Sequence, residues 1–254
     1  MPAGLRPDRL SRCFLSITGL LWVLLHSIFL FVGAYPLVAQ ERRVLLLERF
    51  KNLDNWRPLH FPKIEKHTIY SIESNDNERY LRAESNASAS GLVYKERFNV
   101  YDYPKMRWRW KISNVYEKGD GRTKAGDDYP IRIYVLFEYD PARAGALDRI
   151  KYGLAKAIYG EYPPDRAITY VWSSVTWDVP IIASPHGDKV KMIALESGAK
   201  KAGTWQEEEV NILEDYRKAF GAEPPAKASL GIMNDSDNTA ERAVAFVSFI
   251  EIYR

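Results

Sequence analysis

Cysteine is almost absent from this chain: there is one among 254 residues, Cys13. Everything after it can form no disulfide, hold no metal through thiolates and use no cysteine nucleophile. Export is not excluded, because a domain of this size buries a sufficient core without cross-links. A strong charge of one sign is absent too. The formal charge is +3, and Arg6, Arg9 and Arg12 against Asp8 supply an excess of two, which leaves the remainder near +1. No run of Lys or Arg follows, so nothing marks a nucleic-acid partner. His60, His67 and His186 are scattered without metal-ligand spacing. There is no Gly-x-Ser-x-Gly elbow, no phosphate-cradling glycine loop and no alternating acidic strand of the kind that jelly-roll glycanases carry.

Long apolar runs are confined to one place. Phe14 to Val32 is an uncharged, mostly apolar stretch of 19 residues behind Arg6, Arg9 and Arg12. Gly33, Ala34 and Pro36 break it, and Leu37-Val38-Ala39 resembles a small-residue cleavage site before Gln40. Residues 1–39 therefore read as a signal peptide. The run is close to the roughly 20 residues that span a bilayer, so an uncleaved N-terminal membrane anchor is the alternative. Cys13 precedes the run, which argues against a lipoprotein anchor. Either reading puts residues 40–254 outside the cytoplasm, periplasmic or anchored to the inner membrane and facing the periplasm, because the charged end stays inside. Membrane attachment is expected only through this segment, if it is uncleaved.

The rest alternates. From Ile131 to Tyr139 the apolar residues Ile131, Ile133, Val135, Phe137 and Tyr139 share one face, and Arg132, Tyr134, Leu136 and Glu138 share the other. That is a strand with one buried face and one half-polar face open to water or a ligand. Met106 to Ile112 alternates as sharply, with Met106, Trp108, Trp110 and Ile112 opposite Arg107, Arg109 and Lys111. Further strands are expected at 44–50, 67–73, 80–85, 92–100, 168–173, 190–196, 205–212, 229–233 and 243–253. Asn86 to Gly91 reads as a loop of small residues. Two stretches have helical spacing instead. Ala142 to Tyr159 carries Leu147, Ile150, Leu154, Ala157 and Ile158, with Gly160 after it. Its basic residues Arg143, Arg149, Lys151 and Lys156 read as a solvated face, a membrane surface being the alternative. Leu213 to Phe220 has acidic residues first, basic residues last and Gly221 beyond. No repeat, linker or low-complexity tract appears. The expected architecture is all-β: a single β-sandwich or jelly roll with two short helical insertions.

Six stretches are familiar as a set: Leu81-Arg-Ala-Glu-Ser85 with Ala89-Ser-Gly91; Arg107-Trp-Arg-Trp-Lys111; Lys124-Ala-Gly-Asp-Asp-Tyr-Pro130; Tyr170-Val-Trp-Ser173; Glu214-Asp-Tyr-Arg-Lys-Ala-Phe-Gly221 with Pro224-Pro225; and Gly231-Ile-Met-Asn-Asp-Ser-Asp-Asn-Thr239. Together, from about Leu45 to Tyr253, they resemble the bacterial family called domain of unknown function 3047. The resemblance implies an exported or envelope-associated protein with no assigned activity. It also implies a distant likeness to β-sandwich modules that bind carbohydrate. The stretch Ala142 to Tyr159 is longer than the family pattern at that point and is the least transferable part.

The candidate sites follow from the loops and the open face. Gly126-Asp127-Asp128 and Asn234-Asp235-Ser236-Asp237-Asn238 are acidic loops at the two ends of strand patterns. If the strands are antiparallel neighbours, the loops meet at one end. Asp127, Asp128, Asp235 and Asp237 with Asn234 and Asn238 would then offer hard oxygen ligands to Ca2+, with Asp235 and Asp237 the candidate metal ligands. The same residues also make Asx turns and caps, and Arg107, Arg109 or Arg132 could neutralise the carboxylates by bidentate pairing. Trp108, Trp110 and Trp172 are in phase with apolar neighbours and read as core. Trp177, in a loop-like stretch, and Tyr134, on the mixed face, are the candidate ligand platforms. The one reasonable catalytic pair is Glu138 with Asp127 or Asp128. The expected function is non-catalytic binding of a glycan or another envelope component, with no required cofactor. A glycan-active hydrolase or lyase and a purely structural envelope domain are the alternatives.

Overall fold

Apolar alternation is realised as two facing sheets. The computed structural model describes residues 42–75, 78–142, 144–159 and 162–254. The segment 1–39, with its expected signal peptide or anchor, lies outside the described residues, as does Gly160. The strands are β1 (Val44–Glu48), β2 (Trp56–Leu59), β3 (Ile69–Ser74), β4 (Arg79–Asn86), β5 (Ala89–Tyr94), β6 (Phe98–Asn99), β7 (Lys105–Ile112) and β8 (Arg132–Phe137). Helix α1 (Ala146–Tyr159) follows, then β9 (Arg166–Ser173), β10 (Ile181–Ser184), β11 (Gly187–Ser197) and β12 (Gln206–Asn211). Helix α2 (Ile212–Phe220), β13 (Lys227–Asp235) and β14 (Arg242–Tyr253) close the chain. One sheet has six strands in the order β12-β7-β14-β4-β3, with β1 also on β14. The other has eight, β10-β11-β9-β8-β13-β5-β2, with β6 also on β13. This is the β-sandwich class read from the sequence, and Arg42–Arg254 form one compact unit.

The core lies between the sheets, where the in-phase aromatics meet. Trp108, Trp110, Tyr170 and Trp172 are fully buried. Trp108 meets Trp110 edge-on at 5.3 Å, and Trp110 lies 6.0 Å from Trp172 across the sandwich. Three of their polar atoms find partners, as buried indole and phenol groups usually do: Trp172 Nε1 donates to the Gly198 carbonyl at 3.1 Å, Tyr170 Oη to Asp215 Oδ2 at 2.9 Å and Trp110 Nε1 to Glu208 Oε1 at 3.2 Å. Each such ring buries 150–250 Å2 in a typical core, worth about 3–5 kcal/mol against alanine.

Three departures from the expected strands have local causes. Ala89 to Gly91 is strand, not loop, and the turn shrinks to Ala87 and Ser88, with Ala87 at φ 49°. Every residue of β5 is buried. It runs between β13 and β2, and a small residue fits at Gly91, where a Cβ would fall 3.1 Å from the Ile232 carbonyl oxygen. The short β2 contains Pro58 and occupies a sheet edge, where a missing N–H costs no ladder bond. The equally short β10 forms the opposite edge.

The sandwich has two distinct ends. Helix α2 closes one of them. Asn211 caps it by accepting from the Leu213 and Glu214 amides, and Gly221, at φ 63°, ends it. Tyr216 seats it on Phe137, ring to ring at 4.6 Å. Arg42 is at this helix end, because β1 begins opposite Tyr253 and Lys105, and Ile212 N bonds the Pro104 carbonyl at 2.7 Å. Helix α1, which leaves after β8 and returns to β9, emerges there too. The opposite, acidic end collects the loops before β8 and after β13.

Glu208 provides a pH probe of the core edge. It accepts from Trp110 Nε1 at 3.2 Å. Burial, then the neighbouring Glu196 charge, pushes its carboxyl up to about 7. A raised carboxyl favours the protonated form in the folded state, so its penalty is absent below the unfolded value and grows as pH rises towards 7. Glu208→Gln removes that penalty while keeping an acceptor for Trp110. The melting temperature of the variant relative to the parent is expected to be higher at pH 8 than at pH 4. An identical difference at both pH values would refute the assignment.

Candidate functional site

Strand β8 places the site. Its alternation turns Arg132, Tyr134, Leu136 and Glu138 to the outer face of the eight-stranded sheet, away from the tryptophan core. Strand β13 runs antiparallel beside it, with Met233 opposite Arg132 and Gly231 opposite Tyr134. Asp235 therefore shares that face, one pleat beyond Met233, and the two acidic loops do meet at one end.

Arg132 is the centre of that end. Its Nε donates to Asp235 Oδ1 at 3.0 Å, and its Nη2 donates to Asp235 Oδ2. Nη1 reaches Asp127 Oδ1 at 3.4 Å, and Nη2 reaches the Asp127 carbonyl at 3.2 Å. The Tyr129 amide also donates to Asp235 Oδ1, and its ring lies 4.7 Å beneath the guanidinium. Arg132, Asp127 and Asp235 are 6%, 4% and 1% exposed, so the network is sealed. Burial pushes the Asp235 carboxyl up and the guanidinium pulls it down. Its neighbours hold the Arg132 guanidinium protonated well above its usual range. Both Asp235 oxygens accept from Arg132, the geometry of a carboxylate in a fork-to-fork pair. Burial also raises Asp127 and Asp128. Asp128 accepts from the Thr239 amide at 2.6 Å and the Asn238 amide at 3.4 Å, tying the second loop.

Farther along the same face the chemistry changes. Gly91 and Gly231 remove side chains from the middle of β5 and β13, and a Cβ at Gly231 would sit 3.2 Å from Tyr134 Cβ. The result is a groove of two adjoining cavities, about 370 and about 130 Å3, which share Leu59, Val93 and Leu136. Phe61, Tyr134 and Met233 line the smaller cavity. Tyr162, Pro163 and Pro164 line the larger, which reaches the helix end. There Arg97 Nε lies 3.4 Å from Glu138 Oε1.

Residues 54–251 match the family described as Protein of unknown function (DUF3047). The chain belongs to that family. No curated protein matches the sequence. Solved structures with a similar fold include the family 11 carbohydrate-binding module from Clostridium thermocellum in complex with a β-1,3-1,4-mixed-linked tetrasaccharide. It is 10% identical over 83% of this chain and 94% of that one, at a TM-score of 0.39. Endoglucanase 3 of Trichoderma harzianum, from family GH12, is 7% identical over 79% and 99%, at 0.38. A seed lectin of Lotus tetragonolobus is 12% identical over 82% and 96%, at 0.39. These values transfer no site to the DUF3047 domain, whose fold class rests on its own two sheets.

Of the residues expected to bind a ligand, Tyr134 alone lines the groove. Trp177 is not an open platform. It is 9% exposed and packs with Tyr129, Val171 and Met192 in a second small core that covers the outer face of β9 and β11. Asn234 points inward and donates to the Pro130 carbonyl at 2.6 Å. Asn238 is exposed and contributes its amide to Asp128. Arg109 belongs to the other sheet, where it pairs with Glu78 at 3.0 Å, and Arg107 pairs there with Glu251 at 2.5 Å. Of these three arginines, Arg132 pairs with the acidic loops, and His186 Nε2 also lies 3.5 Å from Asp127 Oδ2. Glu138 does not meet Asp127 or Asp128. Glu138 lies six extended residue steps beyond Arg132, about 20 Å, whereas a glycosidase pair needs roughly 5–10 Å. The groove residues Leu59, Val93 and Phe61 escaped sequence reading. The usable signal was Gly231 inside a strand pattern, the mark of a close approach.

Carboxylate oxygens of Asp128, Asp235 and Asp237 lie within 4.8 Å of one another, the approach that a hard cation needs. Asp235 is already neutralised by Arg132 and Asp128 already accepts two amides. Calcium at this end has a direct test. Adding Ca2+ after EDTA is expected to move the melting temperature by no more than about 1 °C; a rise that Asp237→Ala abolishes would establish the cation site. The ion pair has its own test. Asp235→Ala strands a buried guanidinium and is expected to cost about 3–5 kcal/mol in urea unfolding. The double variant Arg132→Met with Asp235→Leu should cost less than the sum of its single changes. Additive losses would show that the two groups are not coupled.

Proposed function

We propose that this protein is an exported, non-catalytic binding domain that holds an envelope component in the groove on the outer face of the eight-stranded sheet. The groove carries the reading. It is the place where strand glycines, an open face and adjoining cavities of about 370 and 130 Å3 coincide. Its walls are mainly aliphatic, so the molecule it suits is amphipathic, with an apolar portion along Leu59, Val93 and Leu136 and a polar portion near Arg97 and Glu138. Export is supported by the apolar N-terminal stretch behind three arginines.

A glycan is the second reading, favoured by the half-buried rings of Phe61 and Tyr162, on which the C–H face of a sugar can stack. The separation of Glu138 from the acidic loops weighs against glycoside hydrolysis by that pair. The buried Arg132 network weighs for a structural role of the acidic end, and it leaves the groove available.

The two ligand classes are separated by one variant. Ser229, on the groove floor, is replaced by tryptophan to fill the larger cavity. Binding of cis-parinaric acid to the parent, followed by fluorescence, is expected to weaken at least about tenfold in Ser229→Trp. The melting temperature should stay within about 2 °C. A glycan-array signal that Ser229→Trp removes, with no parinaric acid binding, would select the glycan. Ligand binding of either kind that Ser229→Trp leaves intact would move the site off the groove.

A further inference from the structure

Helix α1 is turned the wrong way for a helix that only packs on its own domain. Tyr152 holds it to the sandwich, stacked on Tyr139 at 3.9 Å with planes 5° apart. Leu147 and Ile150, three residues apart, share a different face of the helix. They are 83% and 63% exposed. An amphipathic helix normally buries such residues, so this face is made for something outside the domain. The sequence of α1 carries Arg149, Lys151 and Lys156 against Asp148, an excess of positive charge. Lys156 Nζ lies 4.5 Å from the ring centre of Tyr162, on the side of the helix that Tyr152 turns to the sandwich.

The position of the helix says what that partner is. α1 emerges at the helix end, where Arg42 also lies. The preceding chain carries the 19-residue apolar stretch 14–32, separated from Arg42 by nine residues, 33–41. We infer that α1 docks on the surface of an anionic lipid bilayer, with Leu147 and Ile150 entering the headgroup–acyl boundary and its basic residues meeting lipid phosphates. Among the described residues no helix is long and apolar enough to cross a membrane. The contact is therefore interfacial, the mode of a short helix with an apolar face and a basic one. The larger groove cavity, lined by Tyr162, Pro163 and Pro164 just after α1, would then lie close to the lipid surface.

The segment 42–254 tests this without the N-terminal stretch, because its core lies wholly between Phe50 and Ile252. It is mixed with vesicles of phosphatidylglycerol and phosphatidylethanolamine, or of phosphatidylcholine alone, and sedimented. The domain is expected to pellet with the phosphatidylglycerol vesicles and to stay largely in solution with phosphatidylcholine. The double variant Leu147→Glu with Ile150→Glu should lose at least about tenfold of that binding. Its melting temperature should be unchanged, because both side chains are exposed. No sedimentation with the anionic vesicles, or equal sedimentation of parent and variant, would overturn the inference. So would a dimer seen by analytical ultracentrifugation without lipid and lost in the variant, which would assign the face to a second copy.

Discussion

A guanidinium sealed from water must be neutralised where it lies, and the acidic end of this sandwich is built to that constraint. Arg132 begins β8, and Asp235 ends β13. Their fork-to-fork pair joins the central strands of the eight-stranded sheet, and Asp127 and the Tyr129 amide join the loop before β8 to the same charge. The loop can lie flat only because Gly121 has no side chain: a Cβ there would fall 1.7 Å from Tyr129 Oη. Trp177 and Tyr129 then close the face over Met192 and Val171. Removing either partner of such a pair strands the other, which is why these acidic residues are held by structure first.

The same face of β8 changes character within one pleat. Arg132 is ionic and sealed, Tyr134 is shared, and Leu136 is part of an open apolar groove. The tryptophan core packs on the opposite face of β8. That leaves room above the glycines of β5 and β13, so the groove is a consequence of strand chemistry and not of a mobile loop.

Much of this was legible. The alternation in 131–139 and 106–112 marked the right strands and the right inward faces, because a side-chain period of two has one burial solution. The cap of α2 was legible for a local reason: acidic residues, basic residues and a left-handed glycine are read within one segment. The errors share a cause. Trp177 looked exposed because its neighbours are polar, yet the outer face of β9 and β11 needed a cover. Arg109 was grouped with Arg132 because both lie on the polar faces of their strands, but those strands belong to opposite sheets. Ala89 to Gly91 looked like a loop because small residues mark turns, and they also mark strands that a neighbouring backbone approaches closely.

The sequence by itself determined the fold class, the strand faces, the burial of Trp108, Trp110 and Trp172 and the absence of any thiol chemistry in residues 40–254, since each depends on periodicity or on residue type alone. It also determined that the two acidic loops would meet once β8 and β13 were neighbours. Only the tertiary structure decided that they are neighbours, that Arg132 and no other arginine answers Asp235, and where the groove opens. Periodicity says which side chains share a face. It does not say which strand lies alongside, and Arg132 and Asp235, 103 residues apart, become partners only when two distant strands are paired.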